Sequence, residues 1–229
     1  SYDGKGSVRD SIKFLPERFS RTYGGGMFAE IRESLGGDAL ARKLVKELRT
    51  KSVIGKTNLT DPDKGIYQSE TGEIVTDVNK KTLRVVTKRL EGAVFKNDEP
   101  VRLDAMTVSR CSVPASLTAI VLDSAPSLRK SKRILLVAAT QGLAENSVFD
   151  SGNFGVEIDF GKFPVLYRSG TFALSLATDS ATAPSVYALN LDGTRERKLE
   201  SAFADGRLSL TLDTSKLEYG TPFFEIVYP

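Results

Sequence analysis

The sequence predicts a mainly β protein: a two-sheet antiparallel β-sandwich with a short helical N-terminal segment. Three observations carry that expectation. From residue 66 onward, short segments alternate apolar and polar residues, the period of a strand with one wet and one buried face. Turn-forming clusters separate these segments, and among them Asp192-Gly193 and Asp205-Gly206 are strong hairpin signals because both residue types tolerate positive φ. No helical period interrupts the series, which is the pattern of stacked sheets rather than of alternating strands and helices.

Taken in order, residues 1–26 are polar and broken by glycines, with Phe14 and Phe19 scattered between them. They read as an extended arm whose apolar residues dock on something. Residues 27–35 suggest a short helix. Asp38 then follows a glycine pair and opens an amphipathic helix, with Leu40, Leu44 and Leu48 every fourth residue, Val45 alongside, and Lys46 and Arg49 near its end. Its stripe can bind a partner or pack on this chain's own sheet. Residues 51–65 form a turn-rich linker in which Asn58, Asp61 and Asp63 offer oxygen ligands of the kind calcium takes, but without the regular spacing and distal glutamate of an EF-hand; a solvated turn explains them better. Together these segments give residues 1–60 as arm, helix and linker, and 61–229 as the β-sandwich domain.

Residues 66–95 predict a meander of three short strands. Ile74 and Val78, Leu83 and Val85, then Ala93 and Phe95 mark its buried face, and Thr71-Gly72 and Asn79-Lys80-Lys81 its turns. Residues 101–110 alternate clearly, whereas 117–124 and 133–140 are nearly continuous apolar runs, as expected of strands covered on both faces. Between the last two lies Arg129-Lys130-Ser131-Lys132-Arg133, read as a solvated hairpin tip. Further strands follow in 163–170, 171–178, 185–192, 207–213 and 223–229.

Composition narrows the chemistry. With 229 residues, 40% hydrophobic and 27% charged, the chain can bury a core. Thirty-two basic and 29 acidic residues give +3 with the signs mixed, so the clustered stripe of a nucleic-acid-binding surface is missing and no nucleic acid is expected as partner. The absence of histidine rules out Ser-His-Asp or Cys-His catalysis within this chain, and the single cysteine, Cys111, reads as a small buried hydrophobe. No metal and no cofactor are expected. No run of eighteen apolar residues exists, so no membrane partner is expected either, and no address is visible; a secreted or periplasmic setting stays open, because a signal could have been removed.

Several passages, in this order, resemble the C-terminal β-sandwich region of large bacterial glycoside hydrolases, in which a (β/α)8 catalytic barrel precedes the β-region. They are the turn Thr71-Gly72-Glu73, the pair Gly92-Ala93, the stretch 122–146 ending in Glu145-Asn146, and Gly161 with Phe163-Pro164-Val165-Leu166. The similarity covers about residues 66–229. It implies a non-catalytic accessory module that supports a catalytic barrel domain or another subunit, or binds polysaccharide or oligosaccharide. The barrel itself, with its alternating βα units, is not in this sequence.

Sugar binding needs flat aromatic rings with polar neighbours. Trp is absent, which leaves the tyrosines; Tyr67 with Glu70, and Tyr187 with Asn190, are the carbohydrate-binding candidates, with packing in the core or at its rim as the competing role. A second expectation is a self-sufficient glycosidase using an Asp/Glu pair drawn from residues such as Glu70, Glu73, Asp77, Glu145, Glu157 and Asp159. A third is a purely structural interaction domain working through Phe14, Phe19 and the leucine stripe.

Overall fold

The computed structural model describes residues 38–95, 100–150, 156–217 and 220–229. The arm with Phe14 and Phe19, the short helix at 27–35, Tyr219 and the side chains of Leu40 and Phe95 lie outside the described residues. The chain divides into two compact units, Ser1–Val86 and Thr87–Pro229. In the first unit Tyr67 shares a buried cluster with Val45 of the helical segment.

In the first unit, helix α1 (Asp38–Thr50) is followed by strands β1 (Ile66–Gln68), β2 (Ile74–Asp77) and β3 (Thr82–Val86), paired antiparallel in sequence order. Val45, Ile54 and Tyr67 form the buried cluster, with Leu44 and Leu48 partly buried against it. The apolar stripe of α1 is thus covered by its own chain. Arg49 completes the helix end by donating from Nη2 to the carbonyls of Asn58 at 3.0 Å and Thr60 at 2.8 Å. The oxygen-rich linker is spent on its own turn: Asp61 accepts from the backbone of Asp63 and Lys64, Asp63 pairs with Arg42, and Asn58 donates to Ser69 O at 3.0 Å. On β2 the buried residue is Val75, and the expected Val78 is exposed. Val78 lies three positions from Val75, on the opposite face, while its N–H still donates to Gly65 O beside the Ile66–Asp77 pair.

The second unit contains β4 (Leu90–Phe95), β5 (Val101–Arg102), β6 (Met106–Cys111), β7 (Ala115–Val121) and β8 (Arg133–Ala139). Next come β9 (Gly142–Glu145), β10 (Val148–Phe149), β11 (Glu157–Asp159), β12 (Lys162–Tyr167) and β13 (Thr171–Ala177). The series closes with β14 (Ser185–Leu189), β15 (Arg195–Leu199), β16 (Ala202–Ala204), β17 (Arg207–Asp213) and β18 (Phe223–Val227). Two antiparallel sheets result, one ordered β4-β7-β8-β18-β14-β15 and the other β16-β17-β13-β6-β5. Their facing sides supply one core that includes Phe172, Phe224, Met106, Leu117, Leu136 and Ile226. This is a mainly β, sandwich-like fold, as the alternation predicts.

Alternation is visible even where the sequence runs apolar. On β7 and β8 every second residue is buried, and the residues between are only partly covered, so one face of this sheet is open rather than capped. Asp205 and Gly206 both take positive φ, 52° and 66°, between the paired Ala204 and Arg207, the backbone of a two-residue hairpin. The basic run departs in part from its expected role. Lys130, Lys132 and Arg133 are exposed, as a solvated tip would have them, but the backbone is tied down: Leu128 just before the run is buried, Arg129 donates to Asp104 O at 2.8 Å, and Asp179 N donates to Arg129 O at 2.9 Å.

Two features bind the sandwich closely. Glu91 on β4 reaches into the other sheet, where its carboxylate accepts from Ala105 N at 2.7 and 2.9 Å and from Met106 N at 2.8 Å. Burial pushes its pKa up against the lowering effect of those two backbone donors. Beside it, Gly92 faces Thr118 on β7 so closely that a Cβ would lie 2.8 Å from the threonine hydroxyl. No helix among the described residues is long and apolar enough to cross a membrane.

Candidate functional site

Between β8 and β13 the chain leaves the sandwich and forms a ribbon. Its base is β9 paired with β12, and its outer part is β10 paired with β11. Thr140 Oγ1 donates to Arg168 O at 2.6 Å and Arg168 N to Gln141 O at 2.8 Å, which fixes the ribbon at its root. Where the two parts join, Ser147 Oγ donates to Ala144 O at 2.9 Å and to Phe160 O at 3.1 Å. Gly161 is needed at this join: its φ is +68°, and a Cβ would collide with Glu145 O and lie 2.7 Å from Ser147 N. Pro164 interrupts the register between Lys162 and Val165 because it has no N–H to donate.

The ribbon carries an unusual surface. All six residues of β12 are exposed, and Phe163 is 87% and Phe160 76% exposed. Val156, Ile158 and Phe160 alternate with Glu157 and Asp159, the pattern of a strand with one buried face, yet that face is open. Phe163, Pro164, Val165 and Tyr167 join Leu191, 67% exposed in the turn between β14 and β15, around a shallow depression of about 670 Å³. Large apolar side chains grouped in this way are the general mark of interaction surfaces and ligand grooves.

The four carbohydrate-binding candidates do not make a sugar platform. Tyr67 is 3% exposed in the core of the first unit, which corrects its expected role: neither face of its ring is open for stacking. Glu70 stands exposed in the turn between β1 and β2, while Tyr67 points inward. Tyr187 is half-buried on the open face of the sheet, but the Arg195 guanidinium lies 4.1 Å from its ring centroid and occupies the position a sugar would need. Asn190 uses its amide to close the hairpin, donating to Thr194 Oγ1 at 2.9 Å.

The carboxylates named for glycosidase chemistry fall into two groups, Glu70, Glu73 and Asp77 in and beside β2 and Glu145, Glu157 and Asp159 on the ribbon. Glu145, Glu157 and Asp159 sit on the ribbon opposite Lys162, Phe149 and Val148, Asp159 accepts from Gly161 N at 2.9 Å, and Asp77 accepts from Lys80 N at 2.9 Å. The structure instead assembles a cluster that sequence reasoning missed. Glu225 on β18 accepts from Arg133 Nε at 2.6 Å and from Arg195 Nε at 2.7 Å, one on each oxygen. Burial alone would raise the Glu225 pKa, but these two hydrogen bonds and their charges outweigh it and hold the carboxyl below its usual range. No protein-family model, no characterised protein and no solved structure matches this chain.

Proposed function

We propose that this chain is a non-catalytic accessory β-sandwich module of a glycoside hydrolase, and that it supports the catalytic barrel domain by seating the apolar ribbon on it. The enzyme class rests on the order of motifs that resembles the C-terminal region of such hydrolases. The supporting role rests on one observation, the open apolar side of β11 and β12. An apolar protein surface fits that side better than a glycan does. Its depression is lined by Phe163, Pro164, Val165, Tyr167 and Leu191, and apart from the tyrosine hydroxyl no side chain there can hold sugar hydroxyls. Burying a phenylalanine fully is worth about 1.5–3 kcal/mol, so two such residues suffice to anchor a standard interface.

The test mixes the purified chain with the catalytic domain encoded with it and measures association by sedimentation. Replacing Phe160 and Phe163 by serine removes exposed side chains only, so the fold should melt as before while affinity falls by about thirtyfold or more. Unchanged association of the double variant would defeat the docking role. Turnover of aryl-glycosides by the chain alone, abolished by one Asp or Glu substitution, would defeat the non-catalytic reading.

A further inference from the structure

On the open face of the β4-β7-β8-β18-β14-β15 sheet, Glu225, Tyr187 and Lys198 are directly opposite one another across β18, β14 and β15. Opposite residues in an antiparallel sheet project to the same side. Arg133 is level with Ser185, and Arg195 with Leu189, so the two guanidiniums reach Glu225 from either side along the strand direction. They roof the carboxylate, whose side chain is 3% exposed, and remain 60% and 48% exposed themselves.

One cation would neutralise Glu225. Three cations, Arg133, Arg195 and Lys198, stand about it, more than Glu225 itself needs. Each arginine is fixed to Glu225 through Nε, and its terminal Nη groups have no hydrogen-bond partner among the described residues, Arg195 in addition resting on the Tyr187 ring. Such pre-oriented forks match planar or tetrahedral oxyanions and lose little freedom on binding one. We infer that Arg133, Arg195 and Lys198 form a binding site for the carboxylate or sulfate groups of an acidic polysaccharide, laid along the open sheet face. This deepens the accessory-module reading and rests on it for the choice of a glycan. Charge, rather than the aromatic stacking expected at Tyr187, then provides recognition, and Glu225 is a positioning residue.

Affinity electrophoresis of the full chain in gels containing polygalacturonate, dextran sulfate, neutral dextran or polyglutamate tests this. Retardation by polygalacturonate or dextran sulfate, lost with added salt and absent with neutral dextran, is expected; the preferred gel tells carboxylate from sulfate. Arg133→Gln and Arg195→Gln should each weaken retention about tenfold. Lys198→Gln, which leaves Glu225 fully paired and keeps the proposal testable if an arginine variant unfolds, should weaken it about threefold. No retardation in either acidic glycan, equal retardation in polyglutamate, or retention indifferent to all three substitutions would overturn the site. Docking through Phe160 and Phe163 is read by a separate assay, so either proposal can fail alone.

Discussion

Replacing Glu91 by alanine removes a side chain that satisfies two buried backbone donors across the sandwich, Ala105 N and Met106 N. Each buried N–H left without an acceptor costs about 1–3 kcal/mol, or about 2–6 kcal/mol for the pair. Relief from holding a buried carboxylate offsets part of this, and a net loss of about 3 kcal/mol is expected. Glu91→Gln keeps one acceptor oxygen but turns an amide donor toward an N–H, so it should fall between alanine and wild type. Urea unfolding followed by circular dichroism gives the loss, and amide exchange at Ala105 and Met106 localises it. The acid limb supplies a second readout. The Glu91 pKa is raised by burial, so the folded state binds the extra proton between the ordinary 4.5 and the folded value. Stability from this group therefore rises as pH falls through that interval, and Glu91→Gln should lose the rise. An alanine variant within about 0.5 kcal/mol of wild type, with unchanged exchange at both amides, would refute the clamp.

Glu225 should behave in the opposite sense: its pKa is held down in the fold, so its contribution is present above the ordinary 4.5 and is lost as pH falls through the folded value. Glu225→Gln should flatten that acid loss and cost about 1.5–3 kcal/mol at neutral pH, measured by denaturant titration across pH. Gly92→Ala should cost about 1–3 kcal/mol from overpacking against Thr118, and Thr118→Ala in the same chain should recover much of it, a coupling that a double-mutant cycle measures. Additive losses would show that the two residues do not meet.

Local rules account for what could be read from the residues. The 3.6 period placed α1, and the two-residue period with Asp205-Gly206 placed the hairpin strands, because both are settled by neighbours in sequence. Burial at the end of an element was not legible in this way. Val78, three positions after the buried Val75, belongs to the opposite face of the strand path, and Leu128 sits beside a basic run yet is drawn into the core. Tyr67 looked like a platform because its neighbours Gln68 and Glu70 are polar, while its cover comes from Val45 and Ile54. The Glu225 cluster was out of reach entirely. It joins residues 92 positions apart in one pair and 30 in the other, and no local spacing encodes that. The ribbon left a trace in the sequence: Val156, Ile158 and Phe160 follow the rule for a buried face, and only the fold reveals that these three side chains stand exposed among the described residues.

Strand β18 lies between β8 and β14, although it follows both in the chain. During synthesis, β8 and β14 therefore emerge with bare hydrogen-bonding edges, and the ribosome must deliver residues 223–227 before either gains its shared neighbour. Until then the nascent sheet is two halves with sticky margins. A ribosome stalled before that point would hold a chain prone to pair with its neighbours on the same message, so chaperone demand should drop once residues 223–227 emerge and the missing strand slides home.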